Sequence, residues 1–252
     1  MGQSGSPRGG GKTPFFARWT FDWDCLEETQ FYYCIKDDGF DIMGQKAKIR
    51  YEINKGRKNF VTRIIDPEQF SDELYQVYVD SLKGYPDGTS MLSKDSFENL
   101  TSTAWKQDAC RFFGTFDRES GRLCGYSDVY ERGKFLPISS LHVRPNFEKL
   151  GVNLALVDGI VEWYLGLKTE GKYLCDGARN TVHATNFQSF LIKYFGFRKA
   201  YCKLNIVYRP PINVLITVLF PIRHLLGKMN DSRIKKIYYV LKMEAWKRGM
   251  PD

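Results

Sequence analysis

The sequence predicts a mixed α+β protein in which helices flank a mostly antiparallel sheet. Two observations lead to this class. The composition, 43% hydrophobic and 15% aromatic over 252 residues, is that of a globular chain and excludes a disordered or fibrous one. Apolar residues then recur along the chain with the two-residue period of strands in some segments and the helical period in others. These segments define the elements in order.

The first 59 residues divide into a leader and an extension. Residues 1–12 are rich in Gly and Ser and lack an apolar stretch, which predicts a flexible leader without a secretory signal. Residues 13–59 begin with two aromatic-rich strands, 15–24 and 31–36. Residues 44–59 follow as a basic helix with few apolar positions, and such a helix needs a partner or an anion to stay ordered.

Residues 60–208 carry a longer run of alternating elements. A strand at 60–65 precedes two helices, which start at Pro67 and at Lys94, and then a three-stranded meander. Turn residues separate the meander strands, which span 110–116, 123–131 and 134–143. The remaining elements are a helix at 148–167, a strand at 172–175, a helix at 185–195 and a strand at 198–208.

Two segments of this run resemble the GNAT acyltransferase superfamily. Residues 141–156, Leu-His-Val-Arg-Pro-Asn-Phe-Glu-Lys-Leu-Gly-Val-Asn-Leu-Ala-Leu, are similar to the strand ending in Val-x-Pro, the phosphate-binding loop and the long helix of that superfamily. Residues 186–197 resemble its helix that ends in a Gly-Phe turn. With the element order, the resemblance covers residues 60–208 and implies a GNAT-like module that transfers an acyl group to an amine.

The basic helix running into the first strand, residues 48–63, is similar to the linker of Fem-type and related tandem-GNAT proteins. The resemblance implies that residues 13–59 are a remnant of a first module. It also widens the expected donor from acyl-coenzyme A to aminoacyl-tRNA, which would suit the chain's basic segments. The acceptor implied is an amine on an envelope or polysaccharide precursor.

The resemblance implies where the donor would bind. The superfamily loop reads Arg/Gln-x-x-Gly-x-Gly/Ala, and this chain has Glu148, Gly151 and Asn153 at those three positions, so only the middle glycine is retained. A carboxylate beside a pyrophosphate is repulsive, which weakens ordinary coenzyme A binding. The predicted donor-binding residues are Val143, Arg144, Gly151, Val152, Asn153 and Asn186.

Two histidines are candidate bases for the amine. His142 lies on the last meander strand, which would border the donor cleft, and His183 follows the next strand within reach of Asp176 as an orienting carboxylate. The acid tyrosine of the superfamily would fall at Ile192, so Tyr194 is the candidate from a different helical face. A structural histidine and a hydrogen-bonded loop without a catalytic role are the alternatives.

The C-terminal segment, 209–252, is apolar and basic. Residues 193–252 carry a net charge of +10, against +2 for 1–59 and −4 for 60–192. An apolar helix flanked by cations fits an anionic membrane surface, but packing on the module or an oligomer contact is the preferred explanation. We expect a cytoplasmic protein, for which a peripheral position at the inner membrane face is the alternative that this segment leaves open.

The cysteines and histidines have no metal-like spacing, so no metal is expected, and the six cysteines are interpreted as reduced thiols. The leading functional prediction is a GNAT-fold acyl- or aminoacyltransferase. Two alternatives stay open. One is a non-catalytic GNAT-like binding module, because Glu148, Asn153 and Ile192 depart from the superfamily pattern. The other is a basic binder of membrane surfaces or nucleic acid.

Overall fold

The structure is a computed structural model that describes residues 14–83, 91–106, 110–167, 171–180 and 186–251. The predicted leader and His183 lie outside these residues. The chain forms two compact units, one from residues 1–34, 178–186 and 199–252 and the other from 35–177 and 187–198. The predicted module 60–208 therefore contributes residues to both units.

The described residues contain eight strands and eight α-helices. The strands are β1 (Phe16–Phe21), β2 (Phe31–Lys36), β3 (Phe60–Ile65), β4 (Cys110–Asp117), β5 (Leu123–Tyr130), β6 (Phe135–Val143), β7 (Tyr173–Ala178) and β8 (Arg198–Tyr208). The helices are α1 (Ala47–Asn59), α2 (Ser71–Leu82), α3 (Lys94–Lys106), α4 (Val152–Gly166), α5 (Phe187–Phe195), α6 (Ile212–Leu219), α7 (Arg223–Gly227) and α8 (Ser232–Lys247).

The predicted fold class is confirmed, because the strands are mostly antiparallel and helices flank them. In the larger unit the strand order is β7-β6-β5-β4-β3. The pairs β3–β4, β4–β5 and β5–β6 are antiparallel, and β6–β7 is parallel. In the smaller unit the order is β1-β8-β2, with β1 antiparallel to β8.

The core of the larger unit explains why its helices form where they do. Leu74, Val77 and Tyr78 lie on one face of α2 and are buried together with Phe97 of α3, as the helical spacing of apolar residues predicts. They pack on buried side chains of β4 and β5, among them Phe112. The helix pair is thereby fixed over the meander.

The basic helix α1 pairs with α4, which is the partner that its sequence required. Its Arg57 guanidinium donates to both carboxylate oxygens of Asp158 on α4, at 2.6 and 2.8 Å, and also to Glu162 at 2.8 Å. Asp158 is buried, so its charge needs this bidentate contact. Part of the positive charge of α1 is thus used within the larger unit.

In the smaller unit, α8 packs its Met243 and Trp246 on a buried cluster that includes Phe31 and Leu204. The Asp231 carboxylate caps α8 by accepting from the backbone N–H groups of Arg233 and Ile234. All six cysteines are free thiols.

Within the described residues, no single helix has the length and apolarity to cross a bilayer. The segments Ile212–Gly227 and Ser232–Lys247 meet those criteria only as a pair, which is bent by 119°.

Candidate active site

The strands β6 and β7 separate part-way along their length. Their parallel register pairs Phe135 with Tyr173, Leu136 with Leu174 and Pro137 with Cys175, and it ends there. The next six residues of β6, 138–143, have no strand partner on this side among the described residues. Because strand backbones need hydrogen-bond partners, this stretch is an edge that an extended ligand can pair with.

A β-bulge lies where the two strands separate. The β5–β6 register passes from Asp128↔Ser140 to Val129↔Ile138, so Ser139 has no partner on β5. The Asp128 carboxylate accepts hydrogen bonds from the hydroxyls of Ser139 and Ser140. Ser127 donates its hydroxyl to the Ser140 carbonyl at 2.6 Å. Polar side chains of β5 therefore hold the bulge in place.

A cavity of about 310 Å³ opens between the α2–α3 pair and the face of β4, β5 and β6. This volume is within the range of small-molecule sites. Its polar lining comes from Thr101, Asp128, Ser139, Ser140 and His142, and its aromatic lining from Tyr78, Phe97, Phe112, Tyr126 and Tyr130. The bulge therefore borders both the separated strands and this cavity.

His142 lines this cavity. Its Nδ1 lies 2.8 Å from the Ser81 hydroxyl of α2, and its ring lies 5.1 Å from that of Tyr126 and 5.3 Å from that of Tyr78. Burial among these groups lowers the pKa of His142 to about 4. The imidazole is thus neutral near pH 7 and free to accept a proton, but it is a weaker base than an ordinary histidine.

The turn before α4 corresponds to the predicted phosphate loop. Residues Pro145–Leu150 form a 3-10 turn, and Gly151 caps α4 with a φ of 93°, a conformation that favours glycine. The α1 residue Gly56 packs directly on Gly151, while Lys55 and Asn59 donate to the carbonyls of Lys149 and Leu150. Helix α1 therefore covers the carbonyl side of this turn.

The predicted donor-binding residues differ in their exposure and in whether their side chains already have partners. Val143 and Val152 are buried, and Asn153 is half-buried in the first turn of α4. The buried Arg144 guanidinium pairs with Asp80 and donates to the Leu123 carbonyl, so its charge is already used. Asn186 is exposed and belongs to the smaller unit.

A phosphorylated donor would thus meet backbone N–H groups here, and Arg144 would add no free charge. The first turn of α4 has N–H groups without intrahelical acceptors, and the positive end of the helix dipole favours an anion there. Glu148 is exposed beside this turn. The unpaired edge of β6 fits an extended donor arm, and the turn fits a phosphate through the N–H groups at the start of α4.

The other predicted catalytic residues lie on β7 and α5. Asp176 immediately follows the last paired residue of β7, and burial raises the pKa of its carboxyl to about 6, while a hydrogen bond from Gln188 opposes the shift. Tyr194 is half-buried, and its hydroxyl lies 3.1 Å from the Lys193 Nζ. Since His183 lies outside the described residues, its pairing with Asp176 stays a prediction.

Asp128, which is 7% exposed and lies on the cavity wall, is not among the residues predicted from the sequence. A signal was present, because Tyr126, Asp128 and Tyr130 alternate along the central meander strand and so must share one face. Among the described residues, no group of three or more His, Cys, Asp or Glu side chains could hold a metal ion.

Solved structures with a similar fold include two that match more than four-fifths of this chain. L-PGS from Bacillus licheniformis is 15% identical in sequence with a TM-score of 0.54, and the match covers 86% of this chain and 69% of that one. The second is the C-terminal domain (DUF2156) of a protein from Agrobacterium fabrum assigned as a lysylphosphatidylglycerol synthetase. It is 14% identical with a TM-score of 0.55, over 81% of this chain and 67% of that one.

At such identities the likeness shows the fold alone. A GCN5-related N-acetyltransferase-like protein from Streptococcus suis is 14% identical with a TM-score of only 0.39, over 77% of this chain and 63% of that one. No family model matches the chain. No curated protein matches it in sequence.

Proposed function

We propose that the protein is a GNAT-fold transferase that moves an acyl or aminoacyl group onto an amine. The separation of β6 from β7 after Pro137 carries the proposal, because it gives the donor an unpaired strand edge beside a cavity for the acceptor. The folds of the two lysylphosphatidylglycerol synthetase-type neighbours support the same reading. A non-catalytic module would not need the unpaired edge of β6 and the cavity to lie side by side at the Ser139 bulge.

In this mechanism the donor's extended arm pairs with the free edge of β6, and its thioester or ester carbonyl lies near the bulge at Ser139. The acceptor reacts as the free amine, after its ammonium has lost a proton to solvent, and its nitrogen attacks the carbonyl carbon. As the C–N bond forms, the neutral His142 accepts the proton that this nitrogen then loses. The C–S or C–O bond breaks, and the leaving thiolate or tRNA alkoxide takes up a proton. Tyr194 is the proposed proton donor to that leaving group.

The donor is proposed as acyl-coenzyme A or aminoacyl-tRNA. The thioester would use the first turn of α4 for its phosphates, while the tRNA would use cations of α1 that packing leaves exposed, such as Lys48 and Lys58. The amine-bearing acceptor is proposed to be an envelope or polysaccharide precursor.

The test is transfer from each donor class. The full chain is incubated with radiolabelled acetyl-coenzyme A or with a mixture of charged tRNAs, together with a set of primary amines. We expect labelled amide product with one donor class and its loss in His142→Ala. His224→Ala, on α7 of the smaller unit, is the matched control and should keep full activity. Failure of both donors to bind would refute the proposal, and binding without turnover would favour the non-catalytic alternative.

We further propose that α6 and α7 dock on an anionic membrane surface. Val214 and Val218, one turn apart on α6, are 60% and 65% exposed, and Leu225 on α7 is 63% exposed, which leaves aliphatic surface open on both helices. The exposed cations Lys228 and Lys236 follow them in the same unit. An apolar helix face beside cations matches the interfacial region of an anionic bilayer, where each cation adds about 1 kcal/mol.

Vesicle sedimentation tests this docking. The protein should bind vesicles containing one-third phosphatidylglycerol but not pure phosphatidylcholine, and binding should weaken with salt. Val218→Asp should abolish it, whereas Thr217→Asp, the same charge on the same helix, should have a smaller effect. Equal binding to both vesicle types, or a dimer in solution that Val218→Asp dissociates, would contradict the proposal.

A further inference from the structure

The cavity under α2 and α3 has walls that are mostly aromatic and aliphatic. Five aromatic rings line it, from Tyr78, Phe97, Phe112, Tyr126 and Tyr130. Leu92, Leu100 and Ala104 add aliphatic surface. Such walls favour an apolar ligand body, and the faces of aromatic rings also attract cations.

Asp128 is the one carboxylate among the described residues that line this cavity. Its side chain accepts hydrogen bonds from the hydroxyls of Ser139 and Ser140 and from backbone N–H groups, so every one of these donors is neutral. The described residues provide no ion pair to it. Burial accordingly raises the pKa of Asp128, as expected for a desolvated carboxyl without a countercharge.

A ligand that supplies one positive charge would complete this site. An ammonium would neutralise the Asp128 carboxylate and contact the faces of the surrounding rings. The remaining volume is apolar, so a second charge on the ligand would be buried without a partner, which is unfavourable. Polyamines and amino acids therefore fit less well than an amine with a single charge and a hydrophobic substituent.

We infer that this cavity is the acceptor site and that it selects hydrophobic primary monoamines, whose ammonium is bound by Asp128. That the bound amine is the acceptor of the transfer rests on the proposed function. Binding of the amine in the cavity does not depend on turnover. His142 lines the same cavity, so an amine bound at Asp128 lies in the compartment that holds the proposed base.

Calorimetry with 2-phenylethylamine as the probe tests the inference in the full chain. The affinity of its neutral analogue 2-phenylethanol measures the contribution of the apolar walls. The affinity of 1,4-diaminobutane measures how well the cavity tolerates a second positive charge. We expect 2-phenylethylamine to bind one per chain and the diamine to bind at least about tenfold more weakly. Asp128→Asn should weaken 2-phenylethylamine by about tenfold to a hundredfold, the weight of a hydrogen bond to a charged group, and leave 2-phenylethanol unchanged.

Two further variants keep the result unambiguous. Asp95→Asn removes an exposed carboxylate of α3 and should leave both affinities unchanged. Ala104→Leu fills the cavity and should abolish binding of both probes, which carries the test if Asp128→Asn does not fold.

Unchanged 2-phenylethylamine affinity in folded Asp128→Asn, or in Ala104→Leu, would overturn the inference. Binding without amide formation from any donor would refute the proposed function while supporting the site. If the protein turned over other amines and 2-phenylethylamine did not inhibit that reaction, the proposed function would be supported and the acceptor site in this cavity would be refuted.

Discussion

Replacing Gly56 by alanine tests the contact between α1 and the turn that begins α4. A Cβ built on Gly56 lies 2.9 Å from the carbonyl oxygen of Gly151 and 3.1 Å from the backbone nitrogen of Ala155. Both are main-chain atoms, so one helix must move to relieve the overlap. Overpacking of this kind costs about 3 kcal/mol at its upper range, while alanine returns about 1 kcal/mol of helix propensity. The expected net loss of unfolding free energy is about 2 kcal/mol.

Urea unfolding followed by circular dichroism measures this change. With an m-value of about 2 to 3 kcal/mol per M, the midpoint should fall by about 0.7–1 M. Gly166→Ala is the matched control, because it ends α4 and its built Cβ meets nothing within 4 Å. That variant should be unchanged or stabilised by up to about 1 kcal/mol. A Gly56→Ala protein as stable as wild type would refute the close packing of α1 on this turn.

Three further predictions concern charges in the larger unit. The pKa of His142, about 4, lies below its ordinary value of about 6.5, so the unfolded chain binds more protons and stability should fall as the pH drops from about 6.5 to 4. His142→Gln should flatten this dependence in urea titrations at each pH, and an unchanged slope would contradict it. Asp176, with a pKa of about 6, acts in the opposite sense, because its stability penalty appears as the pH rises from about 4 to 6. Asp176→Asn should therefore stabilise the protein at pH 7 but not at pH 4, and equal effects at both would exclude burial as the cause. Arg57→Gln leaves Asp158 buried without its partner and should lower the unfolding free energy by about 3 kcal/mol. Glu162→Gln, which removes the exposed partner of Arg57, should change it by less than about 1 kcal/mol.

Much of the fold followed from periodicity and turn residues. The meander was predictable because alternating apolar residues are separated by Gly-containing turns, and the order of helices and strands followed from the changes of period. Boundaries were less accurate where a turn precedes a helix. The helix predicted from residue 148 begins at Val152, because Pro145 opens a 3-10 turn and Gly151 reverses the backbone before α4 starts.

The site was predictable in part. Alternation alone could not decide which side of β6 His142 faces, and the contacts with Ser81 and Tyr126 now place it on the cavity wall. The engagement of Arg144 by Asp80 could not be foreseen, because the two residues are distant in sequence and their contact depends on how α2 packs. Asp128 could have been found from the alternation of β5, but its neighbours across the bulge could not.

Pro137 marks the last rung shared by β6 and β7 and has no N–H to offer a neighbouring strand. The separation of β6 from β7 beyond Pro137 is therefore set by the main chain. Substitutions at Glu148 in the turn before α4, or at Asn153 in its first turn, would leave that unpaired edge of β6 in place. Under the proposed function, a lineage carrying this architecture could exchange one activated carboxyl compound for another while the scaffold stayed the same.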